Sequence, residues 1–368
     1  MNILHVYKDY YPVLGGIENH VKALAEAQAA AGHQVTVLVC NRGPRTVEEN
    51  LNGVRVLKAG RVTTVASTPL SPDFPRVLRS LRPDITHLQA PYPMGEVAQW
   101  LAGRGRPYVI SYQADVTRPE QRVIMRVYGP LFRHILRGAR RVLATSPNFA
   151  ASSPYLRAVA ERVRIVPLGI DVSRFVPPAS ASLPAARPFT LLFVGALRHY
   201  KGVDDLIRAL PNLPPDTRLL IAGDGPKRAE WETLCASLGL LVRVTFLGRV
   251  ADEALPGLYH STDVFVLPSN SPAESFGTVL VEAMASRLPC VTTEVGSGTS
   301  YVVEHNITGF VVLPRAPEAL AGALNRLVAD PTLQAQMGTA GRERAVRLFR
   351  FEDMVARVEA VYREVLSG

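Results

Sequence analysis

The stretch FTLLFVGALRHYKGVDDLIRAL, residues 189–210, decides the fold. Its first six positions are apolar apart from one threonine, the composition of a strand buried on both faces of a parallel sheet. Gly195 ends the run, Arg198 and Lys201 follow in a short loop, and Gly202 opens a helical segment that reaches Leu210. A strand, a glycine-bounded loop and a helix in that order form the first half of a βαβ unit.

Working outward, the same alternation continues on both sides. Downstream, strands are expected at 218–222, 242–247, 264–267 and 290–293, with helices at 227–238, 276–285 and 317–329. Upstream lies VPPASASLPAARP, residues 176–188, whose proline, alanine and serine content marks a linker. Before it, strands are expected at 2–6, 34–39, 85–88, 108–112, 141–145 and 163–166. A helix is expected at 17–31, with Gly15-Gly16 as its entry turn and Gly32 as its stop. The pattern thus predicts two α/β domains, 1–176 and 189–350, joined by linker 177–188. A last helix in 351–368 can pack on the second domain or back on the first.

Length and composition agree with that division. At 368 residues the chain exceeds one ordinary core, and 47% hydrophobic with 20% charged residues is globular composition. The formal net charge of +9 comes almost wholly from arginine, since only five of the 41 basic residues are lysines. Such charge suits phosphate ligands, anionic membranes or nucleic acid without choosing among them. No aromatic-basic stacking motif supports the last. Cys40, Cys235 and Cys290 are widely spaced and read as reduced thiols of a cytosolic protein. The first segment turns polar after Tyr7, too early for a signal peptide, and no apolar run approaches the ~18 residues that span a bilayer. The expected location is cytoplasmic, soluble or peripheral at the inner face of the plasma membrane.

Chemistry concentrates in the second half. GALRHYKG places Arg198 and Lys201 at a strand's carboxyl end, where fixed positive charge can stabilise a leaving diphosphate. The alternative is a solvated loop with two surface cations. PSNSPAESFGTVLVEAMASRLPCV, residues 268–291, sets Glu274 in the loop after a strand. There Ser275, Phe276, Gly277 and Thr278 open a helix whose free amides suit phosphate. Glu282 follows on that helix, about 7–8 Å along at 1.5 Å per residue. One carboxylate can meet a sugar and the other a ribose. The alternative is a loop acid and an ordinary helix acid.

These motifs together resemble the retaining family 4 glycosyltransferases, and the resemblance spans nearly the whole chain. GGIENHV resembles the family's first glycine loop, ESFGTVLVE its E-x7-E signature, and GTSYVVEHNITGFVV the segment after it. The resemblance implies a GT-B fold, two Rossmann-like domains facing each other across a cleft. It implies transfer of a sugar from a nucleoside diphosphate sugar, UDP- or GDP-linked, with retention of configuration. Cell-surface polysaccharide or glycolipid synthesis would be the setting, with a lipid-linked or saccharide acceptor. By the resemblance, Glu274 contacts the transferred sugar, Glu282 the ribose, and Arg198 and Lys201 the diphosphate. Gly15 and Gly16 approach the donor phosphates, while Gly223, Asp224, Gly225, Arg249 and Val250 line the nucleotide pocket.

Two positions depart from the family pattern. Gln113 stands where many relatives carry a histidine that bonds the donor sugar, and glutamine cannot titrate near neutrality. Ala196 stands where an arginine often follows the strand-end glycine. No D-x-D pair or His/Cys cluster of ligand spacing is present, so metal-independent transfer is expected. His5 and His87 alternate with apolar residues and are read as buried. His20 can face the acceptor, and His199 is read as exposed. Arg122, Arg126, Arg133, Arg137, Arg140 and Arg141 punctuate an apolar segment that suits an anionic membrane surface or an ordinary packed helix.

Other readings keep the architecture and change the class. A sugar-nucleotide epimerase would need the same donor, and a non-catalytic sugar-nucleotide-binding protein would fit Gln113. A nicotinamide dehydrogenase is disfavoured, because no G-x-G-x-x-G follows either first strand and Cys40-Asn41 ends the second.

Overall fold

The structure is a computed structural model that describes all residues except 14, 66–67, 104, 116–118 and 178–186. For 119–125 it describes the backbone only. The chain divides into two compact units. The first comprises Met1–Thr145, Ala150–Val166 and Val355–Gly368, the second Ser146–Phe149 and Pro167–Met354. The main chain thus enters the second unit at Pro167, upstream of the boundary expected at 176. The reason is local: Phe175, in the turn Val172–Phe175, is buried in the second unit's core beside Tyr259, ring centroids 5.7 Å apart. Most of the proline-rich stretch taken as a linker lies outside the described residues.

In chain order the strands of the first unit are β1 (Asn2–Val6), β2 (Gln34–Cys40), β3 (Val47–Leu51), β4 (Val54–Ala59), β5 (Thr63–Val65), β6 (Thr68–Leu70), β7 (Ile85–Ala90), β8 (Tyr108–Tyr112), β9 (Arg141–Ala144) and β10 (Val163–Ile165). Eight of them form one sheet in the order β10-β9-β8-β7-β1-β2-β4-β3, while β5 and β6 pair separately. All pairings in the large sheet are parallel except β3 with β4. β7 is buried along its whole length, as a central strand covered on both faces must be.

The second unit holds β11 (Thr190–Val194), β12 (Arg218–Ala222), β13 (Val244–Gly248), β14 (Val264–Leu267), β15 (Cys290–Thr293) and β16 (Gly309–Val312). They form one wholly parallel sheet in the order β13-β12-β11-β14-β15-β16. This is the doubly wound order, in which the connections reverse direction between the first and fourth strands. In open sheets of this order, ligands bind outside the strands' carboxyl ends at that reversal. In this unit the reversal falls between β11 and β14, which register Leu191 against Val264 and Leu192 against Phe265.

The final helix, Phe351–Ser367, settles the question its sequence left open. From Val355 onward it belongs to the first unit. Its Tyr362 hydroxyl meets His87 Nδ1 at 2.5 Å, and Arg141 and Arg164 both donate to Glu364 Oε1, at 2.6 and 2.7 Å. Those two guanidinium bonds hold the Glu364 carboxyl down at about 2.

Candidate functional site

Of the expected donor residues of the second unit, Lys201 and Glu274 meet at the carboxyl ends of β11 and β14, where residues 275–278 follow. After β11, the chain turns through Gly195 and closes a short 3-10 turn, His199–Lys201. Gly202 then starts the helix Val203–Ala209 in a left-handed conformation, φ 64°. Only glycine fits here, since a Cβ would stand 2.1 Å from the Pro268 carbonyl oxygen. That close approach lays the loop after β11 against the loop after β14. Two hydrogen bonds fasten them: Asn270 N–H to Tyr200 O at 2.9 Å and Asn270 Nδ2 to His199 O at 3.3 Å.

Lys201 and Glu274 meet across this seam. Lys201 Nζ donates to Glu274 Oε2 at 2.5 Å, and both residues are only 8% exposed. Ser269 Oγ donates to the same oxygen at 3.1 Å, and Ser297 Oγ donates to the Glu274 carbonyl. Burial by itself would lower the Lys201 pKa. The Glu274 charge, with Tyr200 and the Glu274 hydrogen bond, outweighs it, and the net shift is upward. Lys201 therefore stays a cation in a nearly dry setting. Arg198 is exposed, and its charge opposes the Lys201 shift, which puts two cations within electrostatic reach of each other.

The helix Thr278–Ala285 begins at this seam. Its N-cap, Gly277, has φ 79° and offers no side chain to the first amides. The Leu280 N–H turns back to Gly277 O at 2.9 Å, which leaves the Thr278 and Val279 amides without a side-chain cap, the arrangement that favours an anion at a helix start. Gly298 makes the packing possible. A Cβ there would fall 2.8 Å from Phe276 Cα, and its N–H donates to Ser275 O at 2.8 Å. The Phe276 ring turns inward against Phe349, centroids 5.7 Å apart, so Phe276 has only its backbone to offer a ligand. Glu282 is partly buried and accepts from Tyr259 Oη at 2.8 Å. Burial raises its pKa despite that hydrogen bond.

The remaining residues expected to line a nucleotide pocket sit at the ends of the flanking strands β12 and β13. Gly223 and Gly195 are pressed together, for a Cβ on Gly223 would lie 1.9 Å from Gly195 O. Asp224 O accepts the Leu197 N–H at 3.0 Å, leaving the Asp224 side chain exposed with its Oδ1 on the Gly225 N–H. Arg249 is exposed just beyond β13, and Val250 packs on the core.

The first unit carries the other three expected residues. Gln113 follows β8, is 3% exposed, and donates from Nε2 to Gln89 Oε1 at 3.1 Å. Gln89 in turn meets His87 Nε2 at 3.3 Å, and His87 also meets Ser111 Oγ at 2.7 Å. Burial pushes His87 well below its usual range and His5 to about 4, so both are neutral structural groups, as their alternation predicts. His20 is likewise pushed to about 4, by burial and by His5. His199 is exposed. Gly15 caps the helix Gly16–Ala30, but the Glu18 carboxylate folds back so that a Cβ on Gly15 would stand 2.3 Å from it. That carboxylate, 3.6 Å from Lys8 Nζ, already brings negative charge to this helix start.

Comparison with known proteins assigns the chain to a family. Residues 14–174 match the family described as Glycosyltransferase Family 4, and residues 180–344 match Glycosyl transferases group 1. The chain is 34% identical to the D-rhamnosyltransferase WbpZ of Pseudomonas aeruginosa, over 95% of this chain and 92% of that one. This chain belongs to glycosyltransferase family 4. It is also 29% identical to the O-antigen chain mannosyltransferase C of Escherichia coli, over the full length of both. Among solved structures, Anabaena HepE in complex with UDP superposes with a TM-score of 0.78 at 23% identity, covering 99% of this chain and 100% of that one. The fold is GT-B, built from two Rossmann-like domains, and the activity is glycosyl transfer from a sugar donor.

In this glycosyltransferase several supporting residues carry no sequence signal. Ser269 and Ser297 hold Glu274, and Tyr259 holds Glu282 from 23 positions upstream. A serine in a loop or a tyrosine in a short helix looks like any other until the fold brings it to its partner.

Proposed function

We propose that this glycosyltransferase moves a hexosyl group from a nucleoside diphosphate sugar to a hydroxyl acceptor, with retention of anomeric configuration, in surface polysaccharide or glycolipid synthesis. The observation that carries the reading is the Lys201–Glu274 ion pair at the carboxyl ends of β11 and β14, beside uncapped helix amides. Lys201, Arg198 and those amides neutralise the departing diphosphate, each acting most strongly as its charge develops. Glu274 Oε2 is engaged by Lys201 and Ser269, which leaves Oε1 to accept from a sugar hydroxyl. The bond between the anomeric carbon and the diphosphate oxygen breaks, and the acceptor oxygen bonds to that carbon from the same face. The acceptor's proton passes to a diphosphate oxygen. Relatives named for rhamnosyl and mannosyl transfer favour a donor of the mannose series, whereas HepE holds UDP.

The acceptor side of the reading places the enzyme on an anionic membrane surface. No helix among the described residues is long and apolar enough to cross a bilayer. In the helix Pro119–Gly138 and just after it, Arg126, Arg133, Arg137 and Arg140 are exposed, as is Val127 at 83%. The helix Pro93–Ala102 adds exposed Trp100, whose ring lies 6.0 Å from that of His134. Arg141 is engaged with Glu364, and the Arg122 side chain lies outside the described residues. Cations beside exposed aromatic and aliphatic groups suit an interfacial surface. Salt-sensitive co-sedimentation with anionic vesicles is the expected result, and absence of binding at low salt removes the membrane from the reading.

A thermal-shift screen with GDP-mannose and UDP-glucose tests the donor assignment. At 100-fold its dissociation constant a bound donor adds about 2.7 kcal/mol of stability. No shift with any nucleoside diphosphate sugar would sink it. The anomeric configuration of the product, read by NMR against that of the accepted donor, tests retention.

A further inference from the structure

The helix Thr278–Ala285 starts at the donor site and ends elsewhere, roughly 12 Å away at 1.5 Å per residue. Its stop is unusual. Arg287 N–H donates to Met284 O and Leu288 N–H to Ala283 O, both at 3.0 Å, which leaves Arg287 left-handed with φ 62°. Glycine occupies such a stop without steric cost, whereas any side chain is strained there. An arginine at this position implies that its guanidinium has a use.

The helix Pro331–Leu348 is packed against that turn. A Cβ on Gly338 would stand 2.0 Å from Arg287 O, and Arg342 Nη1 donates to Ala285 O. Between helix and turn lies an open cavity of about 370 Å³, lined by Arg287, Thr339, Arg342, Glu343, Val346 and Arg347. Nearby arginines find acids: Arg344 pairs with Glu304 at 2.8 Å and Arg350 with Glu352 at 3.5 Å. Among the described residues, the three cavity arginines pair with none. Burial, and after it the charge of Arg287, lower the Arg342 pKa, which puts these two guanidiniums within electrostatic reach of each other.

We propose that this cavity binds a phosphate-bearing small molecule, at a site separate from the donor site. Three guanidiniums offer planar paired donors matched to phosphate oxygens, and Thr339 adds a hydroxyl donor. The cavity's volume is that of a small-molecule site. Glu343 is the one carboxylate in the lining, and it can accept from a hydroxyl on the same ligand. The phosphate can belong to a soluble compound or to a lipid headgroup, and both present the same chemistry to the arginines.

Calorimetry with inorganic pyrophosphate on the full chain tests the proposal. The background is Lys201→Ala, which weakens the donor site. Expected is saturable binding in that variant, weakened at least tenfold when Arg287→Gly and Arg347→Ala are added. Arg287→Gly suits its left-handed turn, so the unfolding midpoint of the Arg287→Gly/Arg347→Ala protein should match or exceed that of the parent. Equal pyrophosphate affinity with and without the two arginines, or no binding in the Lys201→Ala protein, overturns the proposal. Sedimentation with vesicles containing phosphatidic acid, lost in Arg287→Gly/Arg347→Ala, identifies a lipid headgroup. Pyrophosphate binding without such sedimentation identifies a soluble phosphate. Loss of donor binding on Lys201→Ala is read separately with the nucleotide sugars, so the two sites fail independently.

Discussion

Each unit of this glycosyltransferase has a reversal of strand order at its centre, between β1 and β7 in the first and between β11 and β14 in the second. The two are chemically opposite. The second carries a nearly buried ion pair, Lys201 with Glu274, across the seam between the loops after β11 and β14. In the first, His5 and His87 lie on the central strands themselves and are kept neutral by burial. Around them runs an uncharged chain of hydrogen bonds from Tyr362 through His87 and Gln89 to Gln113. One strand order therefore carries a nearly buried ion pair in one unit and a neutral polar core in the other.

The largest expected effect comes from breaking the charged side of that contrast. Glu274→Ala and Lys201→Ala should each lower transfer at least tenfold, about 1.4 kcal/mol or more of transition-state stabilisation. Each single variant also leaves a buried charge unpaired, at a stability cost of roughly 3–5 kcal/mol. The double variant Lys201→Met/Glu274→Leu removes both charges. Its unfolding midpoint should recover above either single variant while activity stays lost. Recovery of stability together with near-normal turnover would show the pair to be structural.

A smaller effect sharpens the neutral side. Glu96 is 1% exposed and accepts from Tyr92 N–H at 2.7 Å and from the Tyr128 hydroxyl. Burial raises its pKa from 4.5 to about 7, against the pull of those two bonds. A carboxyl raised on folding binds its proton more tightly in the native state. The stability it contributes is thus full below pH 4.5 and is lost as pH rises through about 7. Glu96→Gln holds a neutral group at every pH. Between pH 5 and pH 8, urea unfolding should show the parent losing up to roughly 3 kcal/mol relative to Glu96→Gln. Parallel pH profiles for the two proteins would place the Glu96 carboxylate in a more hydrated setting than its burial indicates.

How far the sequence reaches depends on whether a signal is local. Five of the six strands in the second unit announce themselves as apolar runs. The sixth, β16, begins with a glycine and ends half-exposed at the sheet edge, so its run is short. The edge strand β3 reads VEENL and is almost entirely exposed, with no hydrophobic pattern. Its signal is the turn instead: Asn52 and Gly53, φ 51° and 82°, make the tight connection that pairs Leu51 with Val54. The helix Pro331–Leu348 is likewise marked by its start, where Asp330 accepts from Leu333 N–H and proline stands at the first turn. Lys201, Glu274 and Glu282 are visible because their loops and spacing are local. The Tyr259–Glu282 and Tyr362–His87 contacts are not, because each joins residues that only the completed fold brings within reach.

The smallest effect tests whether the neutral network is structural alone. Tyr362 Oη meets His87 Nδ1, and His87 Nε2 is shared by Ser111 and Gln89, so the imidazole is bonded at both nitrogens in a dry setting. Tyr362→Phe keeps the ring that packs edge-on against His87, centroids 5.6 Å apart, and removes only the hydroxyl. A buried nitrogen left without its partner costs about 1–3 kcal/mol, which denaturant unfolding can resolve. If the network does no more than hold the last helix to the sheet, kcat and KM stay at parental values. If it also fixes Gln113 for substrate through Gln89, KM for the sugar donor rises while stability falls. Restoring a histidine by Gln113→His, which need not lean on Gln89, should then relieve the KM effect and leave the stability loss in place.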